Sequence, residues 1–189
     1  LVELDEVAEY RNGDTATTDR LRRMWAKRLE GTQRNVDVWQ RVLAVRSLVV
    51  PPASDPDAWV KFSSLCRKAE RKHMAVRALS TLLGTTPGTV WDDTMLASAP
   101  PRVAYACIKH MWHESQSAHD GVGSNIAVDR LRRFAAGFAR SDAHLAARAF
   151  LRLGEWARAK EDVPDEAALA QIVGDARTAT ELDAGWWKT

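Results

Sequence analysis

The stretch DPDAWVKFSSLCRKAERKHMAVRALSTLLG, from Asp55 to Gly84, decides the fold class. Its Asp-Pro start is typical of a helix N-terminus, because proline at a first helical position loses no hydrogen bond and already has the helical φ. Apolar residues then recur every three or four positions on either side of a short polar turn, which is the spacing of one helix face. The apolar positions are Trp59, Phe62, Ala75, Leu79 and Leu82. Since glycine favours a helix end, the stretch predicts two helices that close at Gly84.

Two segments of the chain, about 55–84 and 142–182, resemble tetratricopeptide (TPR) repeat units. Small residues let two antiparallel helices approach closely, and a bulky residue fills the space beside each contact. One such pair cannot bury its apolar face alone, so neighbouring pairs must stack. In the second segment the small and bulky positions are Ala146, Ala147, Phe150, Gly154, Trp156 and Ala159. We predict an all-α fold, a TPR-like α-solenoid of antiparallel helix pairs, with an ordinary helical bundle as the alternative.

The rest of the chain shows helical periodicity and no sustained period-two alternation, so strands are not expected. Helix caps and breaks are predicted from turn-forming residues. They give a cap at Thr18 or Asp19, a long loop over Thr85–Pro101, a flexible link over Ser115–Ser124, a tight turn at Gly154–Trp156, a final helix over about Asp165–Leu182 and a new helix at Trp186.

Composition excludes several classes of protein. Apolar residues make up 46% and charged residues 28% of the 189, which is an ordinary globular balance. The net charge is only +2, so no global field attracts nucleic acid or membranes. No apolar run approaches the roughly 18 residues of a membrane helix. The two cysteines, Cys66 and Cys107, form no CxxC unit, so neither zinc nor a disulfide framework is indicated and a reducing setting is expected.

Both ends of the sequence favour the interpretation that it is a piece of a longer chain. The first residue is Leu1 rather than Met, and the last segment, Gly185–Thr189, contains two tryptophans of a kind usually buried.

Several segments are more specific than any repeat pattern. They are MWAKRLEG at 24–31, VWQRVL at 38–43, WVKFSSLC at 59–66, KHMW at 109–112, FLRLGEW at 150–156 and WWK at 186–188. In this order they resemble the FAT domain of TOR (target of rapamycin) protein kinases. The resemblance covers nearly the whole chain and is poor only over residues 84–100 and 113–142.

The resemblance implies a helical scaffold that supports a kinase domain within a Ser/Thr kinase of the phosphatidylinositol-3-kinase-related class. The implied partners are that kinase domain and the subunits of a TOR complex, with no nucleic acid, and the implied location is cytoplasmic or peripheral to endomembranes. The chain itself has no catalytic-loop His-Arg-Asp, no Asp-Phe-Gly and no complete Gly-rich loop, Gly121–Gly123 being only a fragment. We therefore expect no enzyme activity and no catalytic residue in these 189 residues.

Pairs of basic residues at helical spacing mark candidate anion sites. Arg148 and Arg152 are four residues apart, and Lys61 and Lys68 are seven apart. Such spacing aims two like charges the same way, so a bound anion would relieve their repulsion. The simpler interpretation is a solvated face with surface ion pairs.

The family resemblance implies a more specific ligand for these residues, inositol hexakisphosphate. The principal cations of that site match Lys68, Lys109 and Arg148, and Arg34, Lys61, Arg152 and Lys188 fall at supporting basic positions. His113 stands where the family tends to have another lysine.

Other candidate sites and functions are weaker. A TPR-type scaffold unrelated to TOR, holding acidic peptides on its basic residues, is the alternative function. His110 and His113 share a helix face but lack a third metal ligand, so surface or packing roles are expected and no metal is predicted. Asp92-Asp93 is an acidic pair in a connection, for which capping or solvation is expected. The tryptophans are expected to pack in the core.

Overall fold

The computed structural model describes residues 2–160 and 166–183, and within them the chain consists of helices and their connections, with no β-strand. The all-α prediction is thereby confirmed. The helices are α1 Val2–Asn12, α2 Thr15–Gly31, α3 Val36–Arg46, α4 Pro56–Lys68, α5 Lys72–Leu83, α6 Asp93–Ser98, α7 Pro101–Ser117, α8 Gly121–Phe138, α9 Ala143–Lys160 and α10 Glu166–Leu182, with a 3-10 turn over Pro52–Ser54. None of the described helices is long and apolar enough to cross a bilayer. The predicted helix at Trp186 lies outside the described residues.

Acidic and amide side chains set the starts of most helices. Each accepts a hydrogen bond from a backbone N–H that has no partner inside the helix. These N-caps are Asp14, Asn35, Asp55, Asp92, Asp120 and Asp142. Helix α4 begins as predicted at Asp55-Pro56, and α5 ends as predicted at Gly84, whose φ of +67° is a left-handed conformation that suits glycine.

Two predictions about helix boundaries were wrong, one at the start of α2 and one in the segment between α5 and α7. Helix α2 starts after Asp14, which accepts the Thr17 N–H at 2.8 Å, and not at Thr18 or Asp19. The segment predicted as one loop, Thr85–Pro101, contains the short helix α6. Asp92 caps it by accepting the Met95 N–H at 2.8 Å, as expected for the acidic pair.

The predicted flexible link over Ser115–Ser124 was also wrong. Helix α7 continues to Ser117 and α8 begins at Gly121, so three residues connect them. The polar side chains that suggested a loop are instead used between the helices. The hydroxyl of Ser124 donates to that of Ser115 at 3.0 Å, and both residues are buried.

The turn predicted at Gly154–Trp156 does not exist, because α9 runs unbroken from Ala143 to Lys160. All the small and bulky residues of the second repeat segment therefore lie on one helix. Gly154 faces α10, where a Cβ added to it would lie 3.7 Å from Ile172 Cγ2. A glycine at a close helix contact was thus misinterpreted as a glycine at a turn.

The chain divides into two compact units, Leu1–Ala106 and Cys107–Thr189. Two apolar clusters can be defined among the described residues of the first unit. One lies between α1, α2 and the segment after α3, and consists of Val7, Leu21, Trp25 and Val50. The other joins α2, α3, α4 and α5 through Leu29, Val36, Trp39, Leu43, Ala58, Phe62, Cys66, Ala75 and Ala78. Ala75 and Ala78 are 0% and 1% exposed, so α4 and α5 pack closely at small residues.

In the described part of the second unit, two of the contacts between successive helices can be shown to be antiparallel. Between α7 and α8, Gln116 lies opposite Ser124 and Met111 opposite Arg130, so the two helices run in opposite directions. Between α9 and α10, His144 contacts Asp183 and Gly154 faces Ile172, which again fixes opposite directions. The predicted architecture of antiparallel helix pairs is confirmed in this unit.

Candidate anion-binding site

Lys68 is the last residue of α4, in the first unit, and its side chain is exposed. A cation at this position is favoured because the C-terminus of a helix carries partial negative charge. Lys61, two turns earlier on α4, donates to Glu30 Oε1 at 3.3 Å. Arg34 is exposed in the connection between α2 and α3. Of the two predicted cations on α4, therefore, Lys61 is engaged by an acidic side chain, whereas Lys68 has no acidic partner within the described ranges 2–160 and 166–183.

The second unit carries Lys109 on α7 and Arg148 on α9. Lys109 is half-buried, whereas Arg148 is exposed between the buried residues Ala147 and Ala149. Arg152, one turn further along α9, is half-buried and forms an ion pair with Glu155. The pairs predicted from spacing therefore lie on single helices, as expected, and each has one member in an ion pair, Lys61 with Glu30 and Arg152 with Glu155.

A tryptophan stack brings α7 and α9 into contact. The rings of Trp112 and Trp156 are 4.5 Å apart between centroids and inclined by 5°. Lys109 lies three residues before Trp112, and Arg152 lies four residues before Trp156. At about 1.5 Å of rise per residue, each cation is about one helical turn from the stacked rings. The helices that carry Lys109, Arg148 and Arg152 are thus packed on each other within the second unit.

The predicted set of cations is divided between the two units. Lys68, Lys61 and Arg34 belong to the first, and Lys109, Arg148 and Arg152 to the second. Lys188 lies outside the described residues. That the three principal cations meet at one ligand stays a prediction.

The histidines and cysteines have environments unlike those of metal ligands. His110 is 4% exposed on α7, while His113 is exposed one turn later. Burial raises the pKa of Cys66 to about 11 and that of Cys107 to about 12, so both thiols are protonated at neutral pH. In the part of the chain that the structure describes, no three His, Cys, Asp or Glu side chains group as metal ligands.

Sequence reasoning missed a cluster of charged residues that joins the first three helices. It consists of Glu3 and Glu6 on α1, Trp25 and Arg28 on α2, and Arg46 on α3. Arg46 is only 5% exposed and stands within the apolar run Val42–Val50. An arginine within an apolar run could have indicated this cluster from the sequence, because a buried cation requires an acidic or carbonyl partner.

The geometry of this cluster satisfies its charges internally. Arg46 donates to the Trp25 carbonyl at 3.1 Å and to Glu3 at 3.2 Å, and its guanidinium lies 5.3 Å from the Trp25 ring centroid. Hydrogen bonding to Arg28 lowers the pKa of Glu6, with a smaller contribution from Trp25, while partial burial acts in the opposite direction. Since these cations are already neutralised, the cluster fits a structural role and not an anion site.

Comparison with known proteins gives the family. The FAT domain family matches residues 1–189. Over the whole chain the sequence is 34% identical to the serine/threonine-protein kinase TOR2 of Saccharomyces cerevisiae and 30% identical to the serine/threonine-protein kinase tor1 of Schizosaccharomyces pombe. Over 59% of the chain it is 43% identical to the serine/threonine-protein kinase TOR of Arabidopsis thaliana.

The chain spans only 8% and 9% of the length of the two yeast relatives, and 5% of the length of the plant relative. The family match nevertheless extends from the first residue to the last. The alternative of a peptide-binding scaffold unrelated to TOR is therefore wrong. This chain belongs to the FAT domain family and is related to the TOR serine/threonine-protein kinases.

Proposed function

We propose that this chain is a scaffold segment that supports the kinase domain of a TOR-type protein and contributes to the assembly of its complex in the cytoplasm. The family match supports a role within a kinase of this class. The packing supports a rigid role, because α2, α3, α4 and α5 share one continuous apolar cluster. A stiff helical segment can hold a second domain in place without taking part in its chemistry.

We also infer that the chain binds inositol hexakisphosphate through Lys68, Lys109 and Arg148. The observation that carries this inference is that none of these three cations is buried, although they lie on three separate helices, α4, α7 and α9. A ligand with many phosphates that contacts all three would link helices distant in sequence. Linking them would favour the folded chain over the unfolded one.

The chemistry of the donors fits a polyphosphate. The Arg148 guanidinium can donate two parallel hydrogen bonds to one phosphate, and a lysine ammonium acts as a compact point charge. Arg34, Lys61, Arg152 and Lys188 would add charge around these contacts. Two of the supporting cations already have acidic partners, Lys61 with Glu30 and Arg152 with Glu155, which the ligand would have to displace.

Thermal unfolding with and without inositol hexakisphosphate tests this site. At a free ligand concentration 100-fold above Kd, linkage gives about 2.7 kcal/mol of stabilisation. For a chain of this length that corresponds to a rise in Tm of about 5 to 10 °C. The triple variant K68E/K109E/R148E should lose the rise.

A matched control distinguishes binding at these three residues from a general effect of the chain's positive charge. Arg23, Lys27 and Arg41 are exposed on α2 and α3 and are not among the predicted contacts, so R23E/K27E/R41E makes the same change in net charge. This control should retain the rise in Tm. A rise that persists in K68E/K109E/R148E, or that disappears equally in both variants, would contradict the assignment of the site.

The scaffold role has its own test. The kinase domain of a TOR relative should gain thermal stability when it is co-expressed and purified with this chain. A kinase domain that neither binds the chain nor changes in stability would contradict the proposed support.

A further inference from the structure

Helix α5 has a strongly basic exposed side. Between Glu70 and Asp92 the sequence contains no Asp or Glu, although over the whole chain 25 acidic residues nearly balance 27 Lys and Arg. The same stretch contains several basic side chains. We define the α5 basic face as the three exposed ones, Arg71, His73 and Arg77.

The packing of α5 points His73 and Arg77 away from the core. The helix buries Ala75, Ala78, Leu79 and Leu82 against the rest of the first unit. At 100° per residue, His73 and Arg77 lie on the opposite side of the helix, one turn apart. Arg71 immediately precedes the first residue of α5 and is also exposed. The basic face is therefore accessible along about two turns of helix.

The basic face has no acidic partner among the residues that the structure describes. Other exposed cations of the first unit do, as in the ion pairs of Arg20 with Glu9 and Arg102 with Asp57. Arg71 and Arg77 thus present two positive charges that no acidic side chain of the described residues neutralises. An external group of negative charges would be attracted to them.

The chemistry of the face favours an acidic protein segment over other anionic partners. Duplex DNA binders typically make about 6 to 10 phosphate contacts, more than this face can supply. Membrane surfaces are bound by helices with exposed apolar anchors. The large exposed apolar residues in the described part of the chain include Leu48 and Val90, but none lies in α4 or α5.

We propose that the α5 basic face is a docking surface for an acidic helical segment of a protein partner. The two arginines are separated by six residues, or about 9 Å along the helix axis. Carboxylates six or seven residues apart on an acidic helix, about 9 to 10.5 Å along its axis, match that separation. This surface is additional to the proposed polyphosphate contacts, because it uses none of Lys68, Lys109 or Arg148.

The expected strength of binding identifies the kind of contact that the α5 basic face makes. Exposed ion pairs each change affinity by about fivefold at most. Two or three of them give weak binding in isolation. The face therefore serves as a secondary contact within an assembly, where other interfaces already hold the partner at high effective concentration.

Binding of a synthetic helical peptide with glutamates three and four residues apart tests the proposal. Fluorescence anisotropy at low ionic strength should show binding to the wild-type chain, at least about fivefold weaker binding to R71E/R77E, and none for a peptide with glutamine in place of glutamate. R23E/K27E makes the same change in charge on α2 and should bind the peptide like the wild type. R71Q/R77Q removes the two positive charges without introducing negative ones. Circular dichroism of all variants checks that a loss of binding does not come from a folding defect.

Three results would overturn the proposal. Equal weakening in R23E/K27E would mean that only the net charge matters. Weakening in K68E/K109E/R148E without weakening in R71E/R77E would assign the peptide to the polyphosphate contacts. Binding to phosphatidylserine vesicles that R71E/R77E abolishes, together with no binding of the peptide, would identify a membrane as the partner.

Discussion

Glu6 on α1 accepts two hydrogen bonds from the guanidinium of Arg28 on α2, at 2.7 and 2.8 Å. Trp25 Nε1 donates a third to the same carboxylate at 2.8 Å. Helix α1 buries only one apolar side chain among its described residues, Val7, so these polar contacts supply much of its attachment. The attachment of α1 should therefore depend on charge more than on apolar area.

Replacing Glu6 with glutamine should destabilise the first unit. The neutral side chain cannot satisfy both N–H groups of Arg28 that Glu6 binds, so this partly buried cation loses its bidentate partner and keeps the hydrogen bond to Glu3 at 3.0 Å. The expected loss is about 1 to 3 kcal/mol in the free energy of unfolding by urea. Glu9→Gln is the control, because it breaks the exposed pair with Arg20 and should lose less than about 1 kcal/mol. Equal losses in the two variants would contradict the importance of the buried carboxylate.

The same carboxylate should make stability depend on pH. Hydrogen bonding to Arg28 holds the pKa of Glu6 below 4.5, its ordinary value. The unfolded chain therefore takes up this proton first as the pH falls, and stability decreases with it. The contribution of Glu6 is present above about pH 4.5 and is lost as the pH falls through the lower folded value. Urea titrations of wild type and Glu6→Gln should converge in stability as the pH is lowered through that window.

Asp175 on α10 should behave in the opposite way. It is 5% exposed and accepts a hydrogen bond from Gln171 at 3.0 Å, and burial raises its pKa. A carboxylate whose folded pKa is raised reduces stability at neutral pH, and the loss diminishes as the pH falls and the group is protonated. Asp175→Asn removes the buried charge and should stabilise the chain at pH 7 by on the order of 1 kcal/mol. Destabilisation of the variant would show that a partner stabilises the ionised Asp175 by more than its desolvation costs.

The sequence predicted local features better than it predicted contacts between helices. Asp55-Pro56 and Gly84 each act through their own backbone, so their roles were visible in the sequence. Gly154 was misinterpreted because glycine serves both turns and close helix contacts, and only the position of Ile172 distinguishes the two. The serines of the α7–α8 junction were misinterpreted for the same reason, since their hydrogen bonds cross between helices.

Gly154→Ala tests the corrected role of that residue. The new Cβ would lie 3.7 Å from Ile172 Cγ2 and 3.9 Å from the Ile172 carbonyl oxygen, which are ordinary contact distances. Because glycine is unfavourable inside a helix, alanine should stabilise the chain by about 0.5 to 1 kcal/mol. A turn glycine in a left-handed conformation would instead lose stability on the same change.

A larger side chain provides the control for that experiment. Gly154→Leu should destabilise by about 1 to 3 kcal/mol, because the side chain would collide with α10. Gly174→Leu should not, since nothing lies within 4 Å of the Cβ position at Gly174. Similar effects at the two glycines would mean that the α9–α10 contact is not as close as described.

For the predicted anion site, too, some features follow from the local sequence and others only from contacts between helices. Spacing placed Arg148 and Arg152 on one helix, and the pairing of Arg152 with Glu155 could have been predicted because the two are three residues apart. The pairing of Lys61 with Glu30 could not, because it joins two helices across 31 residues of sequence. Spacing therefore identifies candidate cations, but it does not reveal which of them already have a long-range partner.

Glu155→Gln should strengthen the binding of inositol hexakisphosphate. The carboxylate competes with the ligand for Arg152 and repels the phosphates, so its removal should lower Kd by about two- to fivefold, the range expected for one exposed ion pair. Isothermal titration calorimetry at fixed ionic strength measures the change. Glu181→Gln breaks the comparable pair with Arg177 on α10, at 2.8 Å, and should leave Kd unchanged because Arg177 is not among the proposed contacts. An equal gain in both variants would show that only the overall charge of the second unit matters, and no gain in either would remove Arg152 from the site.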